Sequence, residues 1–166
     1  MKRLAQNIEA LAEKDEAFLR MSRQMDDVRR TAAIELHTIC HDFVNSLNRL
    51  MSKVELALDP NQFSAASFQD DAVNLIQISV RGRILQVAFA ATQDLVSTED
   101  FRVPYTLEGS VRAFNQDLLN KDLIEEQLVF YTVERNRSLW RYFDPRTYRS
   151  GTLDQEYLVS VMEQLI

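Results

Sequence analysis

Apolar side chains recur at helical spacing through the first 58 residues, which contain no glycine and no proline. The second half of this segment repeats about every 3.67 residues, the period of an amphipathic helix packed on a core. The first half is sparser and is interrupted by Asp15, as in a coiled-coil seam that faces one partner helix. The two series are Leu4, Ile8, Leu11, Phe18, Met21, Met25, Val28 and Ala32, and then Leu36, Ile39, Phe43, Leu47, Leu50, Val54 and Leu58.

This pattern predicts one long helix, or two helices with a break near residues 30–35. We expect the helical segment to end at Asp59, because a residue that precedes proline is disfavoured in the α region. A polar loop that carries Phe63 and Phe68 follows over residues 61–71.

The hydrophobic period then changes from helical to alternating. Two alternating runs flank the Arg-Gly-Arg sequence of residues 81–83, where glycine accepts the positive φ of a tight turn, and they predict a β-hairpin. A short third strand is predicted over residues 101–105, and Pro104 within it indicates a sheet edge or a bulge. The hairpin positions are Leu75, Ile76, Ile78 and Val80, then Leu85, Val87, Phe89 and Ala91.

Helical spacing returns over residues 106–120, and residues 128–133 are apolar on both faces, as in a central strand. Residues 139–143 predict a further strand. Thr152 and Gln155 fit a capping box, which predicts a last helix. The helix over 106–120 is predicted from Leu107, Val111, Phe114 and Leu118, and the last helix from Leu153, Tyr157, Val161, Met162 and Leu165.

The predicted order of elements is therefore α-βββ-α-ββ-α. Consecutive hairpin strands imply an antiparallel sheet with helices on one face, which is an α+β fold. We expect a helical arm over residues 1–58 that serves as a dimerisation element, and an α+β sheet domain over residues 59–166.

Composition narrows the functional classes. The 166 residues include 19 Lys and Arg against 25 Asp and Glu, a net charge of −6 that disfavours nucleic acid as a partner. A single cysteine fits a reducing compartment. The chain has neither the apolar core of a signal peptide nor the roughly 20-residue apolar run that spans a bilayer, so we expect a cytoplasmic protein with no membrane contact.

Both histidines and the cysteine lie close together in the first helix, at His37, Cys40 and His41. One helical turn separates the histidines, a spacing at which two imidazoles can share a metal ion. Cys40 points with the apolar stripe, so only Asp42 or Asn45 could add a ligand, and no Cys-x-x-Cys motif is present. A structural role for these side chains, with Cys40 in the core, is the simpler interpretation.

The sequence from His41 through Asp42 to Asn45 also resembles the phosphoacceptor helix of two-component histidine kinases and histidine phosphotransferases. The resemblance implies that His41 is a phosphorylated nucleophile and that Asp42 orients it. A kinase is excluded because there are no glycine-rich nucleotide-binding motifs and the next segment is predicted as strand. A phosphotransfer protein without a kinase domain remains an alternative function for this chain.

Arginine and aromatic side chains are interspersed over residues 135–149. Residues 134–150 have a net charge of +3, whereas residues 59–133 have a net charge of −6. Such a segment can pair with the acidic surface of its own chain, form a protein interface, or bind an anionic ligand. The arginines are Arg135, Arg137, Arg141, Arg146 and Arg149, and the candidate ligand-binding residues are Arg141, Arg146, Arg149, Trp140 and Tyr148.

Three acidic pairs could bind Mg²⁺ or act in acid–base chemistry, but each lies at a predicted turn and suits a solvated role: Asp70-Asp71, Glu99-Asp100 and Glu125-Glu126. The chain contains no nucleophile-elbow, P-loop or dinucleotide motif. With two histidines and three glycines, the chain has few of the residues that commonly build catalytic sites. We therefore expect no enzyme activity and no cofactor.

The sequence thus favours a non-enzymatic interaction or regulatory protein, a homodimer with the capacity for a further protein partner. Its contact residues are predicted to be Leu4, Ile8, Leu11, Phe18, Met21 and Met25. Phosphotransfer through His41 is one alternative, and binding of an anionic ligand or effector through residues 135–149 is another. In size, acidity and element order the chain resembles the chaperones that escort effectors in type III secretion, and this resemblance implies effector binding.

Overall fold

The computed structural model describes residues 1–96, 103–115, 123–134 and 137–166. Within these ranges the chain forms a long helix, a seven-stranded antiparallel sheet and a second helix, so the predicted α+β fold is confirmed. The elements are α1 (Lys2–Leu50), β1 (Ala57–Asp59), β2 (Asn74–Val80), β3 (Arg83–Val96), β4 (Tyr105–Asn115), β5 (Leu123–Val133), β6 (Ser138–Asp144), β7 (Arg149–Thr152) and α2 (Gln155–Leu165).

The sheet is a meander in which each strand pairs antiparallel with the next strand of the chain. Arg81 and Gly82 form the β2–β3 turn with φ angles of 46° and 75°, and Val80 pairs directly with Arg83. Two consecutive residues with positive φ are typical of a two-residue hairpin turn, so the predicted hairpin is confirmed. The strand β5 lies between β4 and β6, in the interior position that its two apolar faces predict.

The first helix is one continuous element and ends at Leu50, eight residues before the predicted end. The side chain of Asn48 explains this early end. Its amide donates to the Leu56 carbonyl oxygen at 3.0 Å and its oxygen accepts from the Leu56 N–H at 2.8 Å. These two hydrogen bonds turn the chain after Leu50 and place Leu56 in the core, where it is buried. A longer helix would place Leu56 away from the core. Of the predicted helix positions after residue 50, Val54 therefore lies in the segment before β1 and Leu58 lies within β1.

The helix predicted over residues 106–120 is wrong across the residues that the structure describes, because β4 occupies Tyr105–Asn115. Leu107, Val111 and Ala113 are buried at even spacing, as the alternation of a strand requires. The steps of four and three that suggested a helix combine residues from both faces of this strand. Leu118 lies outside the described residues.

Gly109 gives a second reason for the strand. It pairs with Phe89 of β3, and a Cβ atom at this position would overlap the Ala88 carbonyl oxygen and lie 2.7 Å from the Phe89 Cα atom. Glycine therefore permits the close approach of β3 and β4, whereas it weakens a helix interior.

The second helix begins one residue after its N-cap, Asp154, whose carboxylate accepts a hydrogen bond from the Tyr157 N–H at 3.0 Å. The predicted cap at Thr152 is wrong, because Thr152 is the last residue of β7 and pairs with Arg141. The predicted apolar side of the helix is confirmed, since five side chains are buried there: Leu153, Tyr157, Val161, Met162 and Leu165.

Both helices pack on the same face of the sheet, and the main core lies between them and the strands. Trp140 of β6 is 1% exposed at the centre of this core and packs edge-on against Phe89 and Tyr131. We refer to the sheet together with α2 as the body. A second, smaller apolar cluster contains Tyr105, Phe130 and Phe143.

Candidate interaction surface

The first half of α1 extends away from the body. Every residue from 1 to 24 is exposed, and Met25 is half-buried. We call residues 1–25 the N-terminal arm, a helix of about 38 Å at 1.5 Å per residue. The exposed fractions of its large apolar side chains are Leu4 60%, Ile8 58%, Leu11 60%, Phe18 70%, Leu19 54% and Met21 69%.

The six predicted contact residues lie on one side of this helix. At 100° per residue they fall within an arc of about 140°, and we call this set the arm stripe. The same arc in the second half of α1 carries Ala32, Leu36, Cys40 and Phe43, which are at most 2% exposed in the core. One apolar face therefore recurs along the helix, interrupted by Asp15 and Arg29, with its second half covered by the body and its first half uncovered in a single chain. The six residues are Leu4, Ile8, Leu11, Phe18, Met21 and Met25.

Arg29 lies in the middle of this apolar face, at the point where the helix meets the body. It is buried, and its guanidinium donates to the Thr106 hydroxyl at 2.8 Å and to the Thr92 carbonyl oxygen. Asp26, one turn earlier, forms an ion pair with it at 3.7 Å. The pattern of apolar positions does not single out Arg29, although a charged residue seven positions before Leu36, on the same side of the helix, is a signal for a buried polar anchor.

Further polar contacts hold α1 to the body on other sides. The Trp140 indole N–H donates to the Ala32 carbonyl oxygen at 2.8 Å, and Arg30 forms an ion pair with Asp70 at 2.6 Å. The Tyr131 hydroxyl donates to the Glu35 carboxylate at 3.4 Å. Burial raises the pKa of Glu35, and burial together with the Glu35 charge raises the pKa of Tyr131 to about 12. These contacts fix the direction in which the N-terminal arm leaves the body.

The two histidines stack on each other, with ring centroids 6.2 Å apart and an interplanar angle of 25°. His37 is buried, its Nε2 donates to the Pro60 carbonyl oxygen at 2.8 Å, and its ring also stacks on Phe63. His41 is exposed beside Asn45, whose amide nitrogen lies 3.2 Å from each ring nitrogen. The Asp42 carboxylate lies 3.6 Å from Nδ1 of His41.

This arrangement gives His37 a structural role and leaves His41 accessible. An open cleft of about 640 Å³ lies beside the pair and is lined in part by Asn61, Gln62 and Ser64. In the described residues no three His, Cys, Asp or Glu side chains are grouped so as to hold a metal ion. Cys40 is buried in the core, and burial raises the pKa of its thiol to about 12.

The arginine and aromatic side chains of β6 and β7 do not converge on one site. Trp140 is in the core, whereas Tyr148 is 76% exposed in the β6–β7 turn. Arg141 forms an ion pair with Glu134 at 3.1 Å. Arg146 pairs with Asp144 at 3.3 Å, and hydrogen bonds from Arg146, first from its backbone N–H, lower the pKa of Asp144. Arg149 and Arg137 are exposed, and Arg135 lies outside the described residues.

Two of the acidic pairs each contribute one side chain to an ion pair. Asp70 pairs with Arg30, and Glu126 pairs with Arg112 at 3.0 Å across β4 and β5. Asp71 is exposed, Glu125 lies on β5, and Glu99 and Asp100 lie outside the described residues.

No family model matches this sequence, and neither a curated protein nor a solved structure is similar enough to it to count as a match. Neither of the two described helices has an apolar stretch that could cross a lipid bilayer. The function must therefore be argued from the geometry of this chain.

Proposed function

We propose that the protein is a non-enzymatic interaction protein that self-associates through its N-terminal arm, with a second copy of the chain as the partner. The observation that carries this proposal is the uneven covering of α1. Its apolar face is buried under the body from Ala32 onward, and the arm stripe on the same face is exposed to water.

The area of the arm stripe suits a helix pair. Burying an apolar side chain contributes about 2 kcal/mol, and burying apolar surface contributes ~25 cal/mol per Å². The six side chains of the arm stripe therefore correspond to about 500 Å² of apolar surface per arm. Two arms then bury about 1,000 Å² of apolar surface, and the aliphatic stems of the flanking Lys and Arg bring the pair to the roughly 1,200 Å² at which specific interfaces begin. An apolar patch of several hundred Å² on a protein surface is often a functional contact surface.

The charge of the arm favours a copy of itself over a charged polymer or an anionic lipid surface. Residues 1–25 contain five basic and four acidic side chains, a net charge of +1. A nearly neutral helix is not drawn to phosphate groups, and two such helices meet without strong mutual repulsion. Because Arg29 anchors the second half of α1 to the body, the arm continues from a helix that is already formed, and pairing needs no new helix nucleation.

Light scattering on the full chain tests the proposal. We expect the native protein to have twice the mass of one chain at micromolar concentration. The double variant Leu11→Glu, Phe18→Glu places two carboxylates in the arm stripe and should raise the dissociation constant by at least about a thousandfold, which is about 4 kcal/mol.

The control is the double variant Gln6→Glu, Gln24→Glu, which adds the same charge to exposed positions of the arm outside the stripe. It should assemble like the native protein. A native protein that stays at the mass of one chain up to millimolar concentration would contradict the proposal, as would equal loss of assembly in both double variants.

A second candidate function is phosphotransfer through His41, which is favoured by the exposed ring and by the adjacent Asn45 amide and Asp42 carboxylate. Incubation with phosphoramidate would transfer a phosphoryl group to a ring nitrogen with release of ammonia. His41→Gln should abolish the acid-labile label. Equal labelling of the native protein and this variant would exclude His41 as the acceptor.

A further inference from the structure

The relative position of the arm stripe and the body restricts how two arms can pair. Both halves of the apolar face lie within the same arc of α1, so the body lies on the side of the helix toward which the arm stripe points. A partner helix that covers the arm stripe must lie on this same side. It must therefore occupy the space directly beyond the body along the helix axis.

A parallel pair does not fit this geometry. If two arms ran in the same direction with their stripes facing, each body would lie between the two helices at the same end. Paired helices are only about 8–10 Å apart, whereas the body contains a whole sheet and a second helix packed against α1. The two bodies would therefore overlap sterically.

We infer that two copies pair their N-terminal arms in antiparallel orientation; this inference rests on the self-association proposed above. The bodies then lie at opposite ends of the paired helices. Each arm fills the space beyond the other body, and its tip ends close to Arg29 of the second copy, where the covered half of the apolar face begins. The overlap of about 38 Å uses the full length of the arm.

Cross-linking of full-length cysteine variants tests the orientation. Leu4→Cys carrying an affinity tag is mixed with untagged Ser22→Cys, and in a second sample with untagged Met25→Cys. Subunits are allowed to exchange before a short bismaleimide is added. The native protein is the control for Cys40, which is 0% exposed and has a pKa of about 12, so it should not react.

We expect a mixed product of tagged and untagged chains that exceeds both self-linked products by about tenfold, because yield follows the effective concentration of the two thiols. In an antiparallel pair centred near residue 13, the two copies of residue 4 are about 27 Å apart. Self-linked Leu4→Cys as the main product, or a dimer without the mixed product, would overturn the antiparallel orientation and leave the proposed self-association intact. Variants that scatter light as single chains at every concentration would overturn both.

Discussion

Individual side chains that look alike in the sequence have very different surroundings in the fold. Trp140 and Tyr148 belong to one arginine and aromatic segment, yet the first is 1% exposed and the second 76%. The sequence could not separate them, because each is followed directly by an arginine and neither lies in a clear alternating pattern. The difference arises from the β6–β7 turn, which turns Tyr148 outward with a φ of 56°.

The first prediction follows from this contrast. Trp140→Phe removes the N–H group that bonds to the Ala32 carbonyl oxygen and leaves space in the core, so it should lower the free energy of unfolding by about 2 kcal/mol. Tyr148→Phe should change it by less than about 0.5 kcal/mol. Urea denaturation of both variants provides the comparison. Equal effects would show that Trp140 does not connect β6 to α1 as described.

The second prediction concerns Glu35, a partly buried acid whose pKa is raised by burial above its ordinary value of 4.5. The folded state binds this proton more tightly than the unfolded chain, so the free energy of unfolding falls as the pH rises above 4.5, and the full cost of the ionised carboxylate is present above the folded pKa. Glu35→Gln removes this cost and keeps an oxygen acceptor for Tyr131. The variant should therefore have a higher Tm than the native protein at pH 7.

The pH dependence supplies the control for this prediction. The difference in Tm should shrink as the pH falls and vanish below pH 4.5, where native Glu35 is protonated in both states. Glu163→Gln, a substitution at an exposed position of α2, is the matched variant and should not show this dependence. A Glu35→Gln variant less stable than the native protein at pH 7 would show that the carboxylate charge is favourable.

At the scale of elements, the hydrophobic period predicted α1, the β2–β3 hairpin, β5 and α2, because each presents one regular pattern over several residues. It failed where two patterns overlap in a short segment. In β4, side chains from both faces happened to fall at helical steps, and the informative residue was Gly109, which a pattern of apolar positions ignores. The end of α1 was misplaced because a single side chain, Asn48, turns the chain with no glycine or proline.

The third prediction tests the role of Gly109. Gly109→Ala places a methyl group against the Ala88 backbone and should destabilise the protein by about 2–3 kcal/mol, since backbone atoms of two paired strands must separate. Gly151→Ala is the comparison: its methyl group would meet the Tyr142 ring at 2.8 Å, where a side chain can turn, and it should cost less than about 1 kcal/mol. Thermal unfolding of both variants checks the order. Similar losses would argue against a close approach of β3 and β4 at this position.

At the scale of the whole molecule, the apolar face of α1 is covered by the body in its second half and exposed in its first half. The six residues of the arm stripe could be selected from the sequence as candidate contacts, because they recur at helical spacing without a second apolar run nearby. The boundary between the covered and the exposed half of α1 could not be predicted from the sequence. It depends on where the sheet ends and on the hydrogen bonds from Arg29 to Thr92 and Thr106, which are distant in the chain. The proposed antiparallel orientation likewise rests on the position of the body, which the sequence does not give.

Hydrogen exchange of the backbone amides in residues 2–24, measured as a function of protein concentration, tests the central claim most directly. A helix of this length without tertiary contacts opens readily, whereas a paired helix is protected. We predict that protection of the N-terminal arm in the native protein rises with concentration and that Leu11→Glu, Phe18→Glu abolishes this rise. Exchange that is independent of concentration and equal in the native protein and the variant would contradict the account.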